Sequence, residues 1–199
     1  MKRNIKTVAV IGSGVMGSGI ACHFANIGIN VLLLDIAPNK LNEKEEKLGL
    51  SLDNKKVKNR IVNEMFQRCI KSKPAPLYHR NFASRIELGN LTDDLHKISK
   101  VDWIIEVVTE KLNIKQIVFN QIEEHRTKGT LITSNTSGIP IKQMNEGRSE
   151  DFRKNFAVTH FFNPPRYLKL FEIIPGPDCE PKTIKSVSYT HLTLPTSVI

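Results

Sequence analysis

The chain has 199 residues, 40% hydrophobic and 25% charged, a composition of the ordinary globular class at a length suited to one domain. Twenty-nine Lys and Arg against twenty Asp and Glu leave a net charge of +9, which favours an acidic partner: nucleic acid, an anionic membrane surface or a phosphate-bearing small molecule. No apolar run approaches the roughly 18 to 20 residues of a membrane span, and Cys22, Cys69 and Cys179 are odd in number and widely spaced, against a disulfide framework, a zinc site or any other metal centre. A reducing, cytoplasmic setting is expected. Met1-Lys2-Arg3 before an apolar stretch has the look of a signal peptide, but Gly12, Gly14, Gly17 and Gly19 interrupt its would-be apolar core.

Val8-Ala9-Val10-Ile11 predicts a buried first strand, followed by Met16, Ile20, Phe24 and Ile27 at helical spacing. Val31-Leu32-Leu33-Leu34 predicts a second strand, ended by Asp35. Residues 40–80 break this rhythm: eleven basic against five acidic residues place six of the nine excess charges there, on what reads as a helical insertion with a solvated face. Trp103-Ile104-Ile105-Glu106-Val107-Val108 predicts a strand, and residues 111–126 carry Ile114, Ile117, Val118 and Ile122 on one helical face. Residues 130–133 form a further strand, and Ala157-Val158 and Leu170-Phe171-Glu172-Ile173-Ile174 are late strands separated by the Pro164-Pro165 loop. This alternation predicts an α/β fold with a doubly wound, mostly parallel sheet covered on both faces. The last fourteen residues, 186–199, are rich in Ser and Thr and carry no Asp, Glu, Lys or Arg.

Gly12-Ser13-Gly14-Val15-Met16-Gly17 is G-x-G-x-x-G placed after a strand and opening a helix, with Asp35 ending the next strand 23 residues after Gly12. Gly12 permits a tight turn, Gly14 lets a pyrophosphate approach the backbone, and Gly17 lets helix and strand pack closely. The first free N–H groups of the helix, around Val15 and Met16, would meet the diphosphate charge. Asp35 can accept hydrogen bonds from an adenosine ribose diol and would repel a 2′-phosphate, so NAD is favoured over NADP. A glycine turn that only packs is the simpler reading. FAD sites and S-adenosylmethionine methyltransferases use related units.

Ser134-Asn135-Thr136-Ser137-Gly138 and Thr159-His160-Phe161-Phe162-Asn163-Pro164 both follow strands, at the carboxyl end where ligands of open α/β sheets bind. Glu172 comes twelve residues after His160, on the next strand. Together they supply a base, a carboxylate to orient it and neutral hydrogen-bonding groups, the parts needed to remove a hydroxyl proton while hydride leaves for nicotinamide. A histidine in Thr-His-Phe-Phe is also compatible with a purely structural role.

Residues 12–21 (G-S-G-V-M-G-S-G-I-A), Ile105-Glu106-Val107-Val108, Ser134-Asn135-Thr136-Ser137 and His160-Phe161-Phe162-Asn163-Pro164 with Leu170-Phe171-Glu172-Ile173 resemble the L-3-hydroxyacyl-CoA dehydrogenase family over roughly residues 5–185. Pro74-Ala75-Pro76-Leu77 and Pro164-Pro165-Arg166-Tyr167-Leu168-Lys169-Leu170 look particularly like the dehydrogenase part of bacterial multifunctional fatty-acid-oxidation proteins. The resemblance implies a Rossmann-like NAD-binding domain over residues 1–185 that oxidises (S)-3-hydroxyacyl-CoA to 3-oxoacyl-CoA. It implies His160 as general base, Glu172 as its orienting carboxylate, Ser137 in contact with substrate and cofactor, and Asn163 beside the nicotinamide. Glu110 and Lys115 fit the family's E-x-x-x-x-K that contacts NAD, although a helix-start acid and a solvated lysine would look the same.

In the family the segment matching residues 40–80 lies near the CoA moiety, so Lys55, Lys56, Lys58, Arg60, Arg68, Lys71 and Lys73 are expected to attract its phosphates. Family members continue into an all-helical domain, expected to be absent here, that supplies another active-site asparagine and the dimer interface. Residues 186–199 resemble nothing in the family and are expected to be a tail of foreign origin. Without the helical domain, NAD binding with weak turnover is expected. The competing functions are a non-catalytic dinucleotide-binding module and a 3-hydroxy acid dehydrogenase whose substrate lacks CoA. Nucleic-acid binding lacks a zinc, helix-turn-helix or stacking-aromatic signature.

Overall fold

Seven strands, β1 (Thr7–Ile11), β2 (Asn30–Asp35), β3 (Ile86–Asn90), β4 (Trp103–Glu106), β5 (Leu131–Ser134), β6 (Phe156–Phe161) and β7 (Phe171–Pro175), make one sheet in the computed structural model, which describes residues 4–192. Met1-Lys2-Arg3 and residues 193–199 of the expected tail lie outside the described residues. The spatial order is β3-β2-β1-β4-β5-β6-β7, with the first six strands parallel and β7 antiparallel to β6. The order reverses between β1 and β4, which opens a crevice beyond their carboxyl ends.

The apolar runs are unbroken because successive side chains enter different cores. Val8, Val10, Val31, Leu33, Trp103 and Ile105 face one core with α1 (Val15–Asn26). Ala9, Ile11, Leu32, Leu34 and Ile104 face the other. Between β2 and β3 come α2 (Glu43–Lys47), α3 (Lys55–Lys58) and α4 (Arg60–Ile70), of which α4 buries Val62 and Phe66 on the α1 side. Then α5 (Leu112–His125), α6 (Ile141–Met144) and α7 (Glu150–Lys154) cover the second face through Phe119, Met144 and Phe152.

The helix α8 (Pro181–Leu192) runs across the boundary expected at residue 185, and Val187 is fully buried in the first core. Strand β3 was not expected. In Ile86-Glu87-Leu88-Gly89-Asn90 a charge and a glycine interrupt the apolar run, as an edge strand permits, while pairing with β2 holds it in register. The strand expected through Val108 stops at Glu106.

Candidate active site

The fingerprint turn has the shape a diphosphate requires. Gly12 has φ +105°, and a Cβ there would stand 2.6 Å from the Val107 carbonyl oxygen. A Cβ on Gly17 would stand 1.8 Å from the Gly12 carbonyl oxygen, so only glycine allows α1 to pack against the turn it leaves. At Gly14 no atom lies within 4 Å of the same position, which leaves open space over the N-terminus of α1. No side chain caps that end and no acidic residue stands in its first turn, so its N–H groups and dipole face the space unopposed.

Asp35 closes one side of the turn. Its Oδ2 accepts from the Ser13 N–H at 2.6 Å and the Ser13 hydroxyl at 2.5 Å, and Oδ1 accepts from the Ile36 N–H at 2.7 Å. Beside it a cleft of about 660 Å³ is walled by Ile36, Ala37, Leu91, Ile114 and Val118. Next to Asp35 the cleft thus offers a flat ring an apolar side, while Thr92, His96, Gln121, Glu124 and His125 supply polar groups to the same lining. Ile36 and Ala37 were not singled out from the sequence, although their position directly after Asp35 was the available signal.

On the other side of the crevice, β6 and β7 place His160 and Glu172 directly opposite each other in antiparallel register. His160 Nδ1 lies 2.9 Å from Glu172 Oε2, which leaves Nε2 for a substrate proton. The His160 ring sits edge-on against Phe162, with centroids 4.4 Å apart. Asn135, in the loop after β5, accepts the Phe161 N–H at 2.8 Å and so ties the Ser137 loop to the His160 strand. Asn163 lines a second cleft, of about 380 Å³, between the start of α1, one face of α4 and the loop after β6.

Glu106 and Lys115 form a hub beneath these groups that the sequence did not show. Lys115 was expected on the cofactor, but it is 1% exposed, and its Nζ lies 2.8 Å and 3.0 Å from the two Glu106 oxygens and 3.3 Å from Glu110 Oε2. Glu106 is fully buried and also accepts from the Ser134 hydroxyl at 2.5 Å and the Val108 N–H at 2.7 Å. Burial pushes its carboxyl above the usual range, against the pull of Lys115, Ser134 and Val108. Glu110 Oε1 accepts from the Thr136 hydroxyl and from the N–H groups of Ser137 and Gly138. Desolvation works to raise the Glu110 carboxyl, but Thr136, Lys115 and the two N–H groups outweigh it and hold the group low. Lys115 therefore reaches the site through Glu110, which holds the Ser137 loop in place.

The basic segment divides by partner. Lys58 Nζ is 2.9 Å from Asp93 and 3.9 Å from Asp53, and Arg60 Nη1 is 3.1 Å from Glu45. These two cations are each engaged by a carboxylate of the chain itself. Arg68 and Lys73 line the second cleft, where Met65, Arg68, Cys69 and Ser72 form one face at helical spacing. Lys55, Lys56 and Lys71 are exposed and lie outside that lining.

Residues 7–194 match the family described as 3-hydroxyacyl-CoA dehydrogenase, NAD binding domain. A protein named "Probable 3-hydroxyacyl-CoA dehydrogenase" from Bacillus subtilis is 52% identical over 185 residues, 93% of this chain and 23% of that protein. One of the same name from Deinococcus radiodurans is 44% identical over 92% of this chain and 49% of its own length. The chain thus spans about a quarter to a half of these curated relatives. The crystal structure of 3-hydroxybutyryl-CoA dehydrogenase from Escherichia coli K12 superposes with a TM-score of 0.69 at 29% identity, covering 96% of this chain and 36% of that one. The dehydrogenase part of multifunctional enzyme 1 from C. elegans shares the fold, with a TM-score of 0.72 at 22% identity over 98% of this chain and 40% of that one. The chain belongs to the family of 3-hydroxyacyl-CoA dehydrogenase NAD-binding domains.

Proposed function

We propose that this chain, as a member of that family, carries the cofactor-binding and proton-transfer machinery for NAD-dependent oxidation of (S)-3-hydroxyacyl-CoA to 3-oxoacyl-CoA in fatty acid β-oxidation. The observation that carries the reading is the His160–Glu172 pair standing at the carboxyl end of a sheet whose first turn is built for a diphosphate. Bound NAD⁺ supplies the hydride acceptor. Gly14 and the uncapped start of α1 hold the diphosphate, Asp35 the adenosine ribose, and the Ile36–Ala37 side of the neighbouring cleft the adenine.

His160 Nε2 takes the proton of the 3-hydroxyl as the C3 hydrogen departs with its electron pair. Glu172, on Nδ1, fixes the ring tautomer and stabilises the imidazolium that forms. Ser137 and Asn163 orient the reacting groups. Arg68 and Lys73 supply cations in the cleft ending at Asn163, which favours a CoA thioester, with its several phosphate charges, over a hydroxy acid that carries a single carboxylate. The three cysteines, none of them in a disulfide, fit a reducing, cytoplasmic setting, and no helix among the described residues is long and apolar enough to cross a membrane.

The test is calorimetric titration with NAD⁺ and NADP⁺, joined to NADH oxidation with acetoacetyl-CoA. NAD⁺ binding with weak turnover by these 199 residues is the expected result. Failure to bind NAD⁺, or turnover indifferent to His160→Gln, overturns the reading.

A further inference from the structure

Residues 74–78 carry no helix or strand, and Pro74 and Pro76 have no N–H to donate. Side chains from two distant elements nevertheless satisfy this loop's backbone. Arg166 Nη1 donates to the carbonyls of Ala75 at 2.5 Å and Leu77 at 3.0 Å, and the Tyr167 hydroxyl donates to Ala75 at 2.9 Å. The guanidinium carbon lies 4.1 Å from the centre of the Tyr78 ring and 4.9 Å from that of Tyr167. From the end of α1, Asn26 donates to the Pro76 carbonyl at 2.9 Å and accepts the Tyr78 N–H at 2.8 Å. The loop that carries Arg166 is seated on α1, where a Cβ on Gly19 would come within 3.1 Å of Pro165.

These contacts span the second cleft. Pro74 and Pro76 line it with Lys73 and Arg68, and Asn163 and Arg166 line it from the loop that follows the strand bearing His160. We infer that Arg166 is a positioning residue that, with Tyr167 and Asn26, clamps residues 74–78 to the loop after β6, six residues beyond His160, and so sets the width and register of the cleft for the acyl-CoA substrate. That the occupant is an acyl-CoA rests on the reading proposed above; the clamp itself rests on the contacts. Both bonds come from Nη1, and what lysine, a point charge, cannot reproduce is the planar guanidinium that lies against the two rings while it makes them.

The test is amide hydrogen exchange on the full chain carrying Arg166→Lys, Arg166→Met or Tyr167→Phe. Both Arg166 variants should speed exchange at the Tyr78 amide by roughly tenfold or more, the scale of one lost charge-assisted hydrogen bond. Tyr167→Phe should do so more weakly, while amides of β1 and α1 and the affinity for NAD⁺ stay unchanged. With 3-hydroxybutyryl-CoA, the KM of Arg166→Lys should rise as much as that of Arg166→Met, with kcat held within about twofold. Unchanged exchange at Tyr78 in both Arg166 variants overturns the clamp, and a normal KM in Arg166→Lys alone overturns it in favour of a simple charge contact. Failure of the unaltered chain to bind the CoA thioester would overturn the proposed reaction, while faster exchange in the variants would still support the clamp.

Discussion

Glu106 with Lys115 and Glu172 with His160 are carboxylate–nitrogen pairs at the same end of the sheet, at 2.8 Å and 2.9 Å, and their surroundings assign them opposite tasks. The first pair is 0% and 1% exposed, on a central strand and the helix covering it. The second is 48% and 21% exposed, on a strand pair at the sheet's edge. A dry pair with further hydrogen bonds cannot change its charge cheaply, so it serves as scaffold. A pair open on one side can pass a proton to a ligand, and water screens whatever it contributes to folding. Burial, at nearly equal distance, thus suits the first pair to structure and leaves the second fit for the chemistry proposed for it.

The comparison breaks most visibly at His160. His160→Gln should lower turnover of 3-hydroxybutyryl-CoA by about 10²- to 10⁴-fold, while a urea melt shifts stability by less than about 1 kcal/mol. A large loss of stability would place this pair with the scaffold. Lys115→Met should show the reverse weighting. Leaving Glu106 buried without its cation costs about 3–5 kcal/mol, read as a lower denaturant midpoint at unchanged slope, and adding Glu106→Gln should recover part of the loss. Equal stabilities of Lys115→Met and the parent chain would refute the scaffold role.

A smaller effect is expected where charge meets solvent. Arg68→Gln with Lys73→Gln should raise the KM for a CoA substrate several-fold at low salt, with the difference shrinking as salt screens the exposed cations. Lys58→Gln should leave KM unchanged, because Asp93 already holds that ammonium. The smallest effect concerns Glu110, which lies between the two regions. Its carboxyl is held below the ordinary value of 4.5, so its contribution to stability is complete above that pH and is lost as the pH falls through the lower folded value. The stability difference between the parent chain and Glu110→Gln should therefore narrow on acidification from pH 6 to pH 3, as a series of urea midpoints would show, and a constant difference would remove the assignment.

The first βαβ unit was readable because its two signals are local. An apolar run buried on both faces needs no partner to be recognised, and the glycines of the turn follow from backbone geometry within a few residues. His160 and Glu172 were readable as parts, with the resemblance to the family supplying their roles. Strand β3 was not, because Gly89 and Asn90 stand at two of its three buried positions and leave no apolar pattern to read. The burial of Lys115 left no signal either: a lysine on a helix looks solvated until the strand carrying Glu106 is set behind it.

The basic segment shows the same division. Composition alone located the excess charge between residues 40 and 80. Only the folded chain brings Asp93 to Lys58, across 35 residues, and Arg166 to the carbonyls of residues 75 and 77, across about 90. Propensity, periodicity and turn chemistry act within a few residues and are written along the chain, so the sequence by itself determined the strand–helix alternation and the diphosphate turn. Which charges are neutralised, which remain free for a ligand and which side chains hold a loop in place depend on desolvation and on neighbours distant in sequence, and tertiary structure alone decides them.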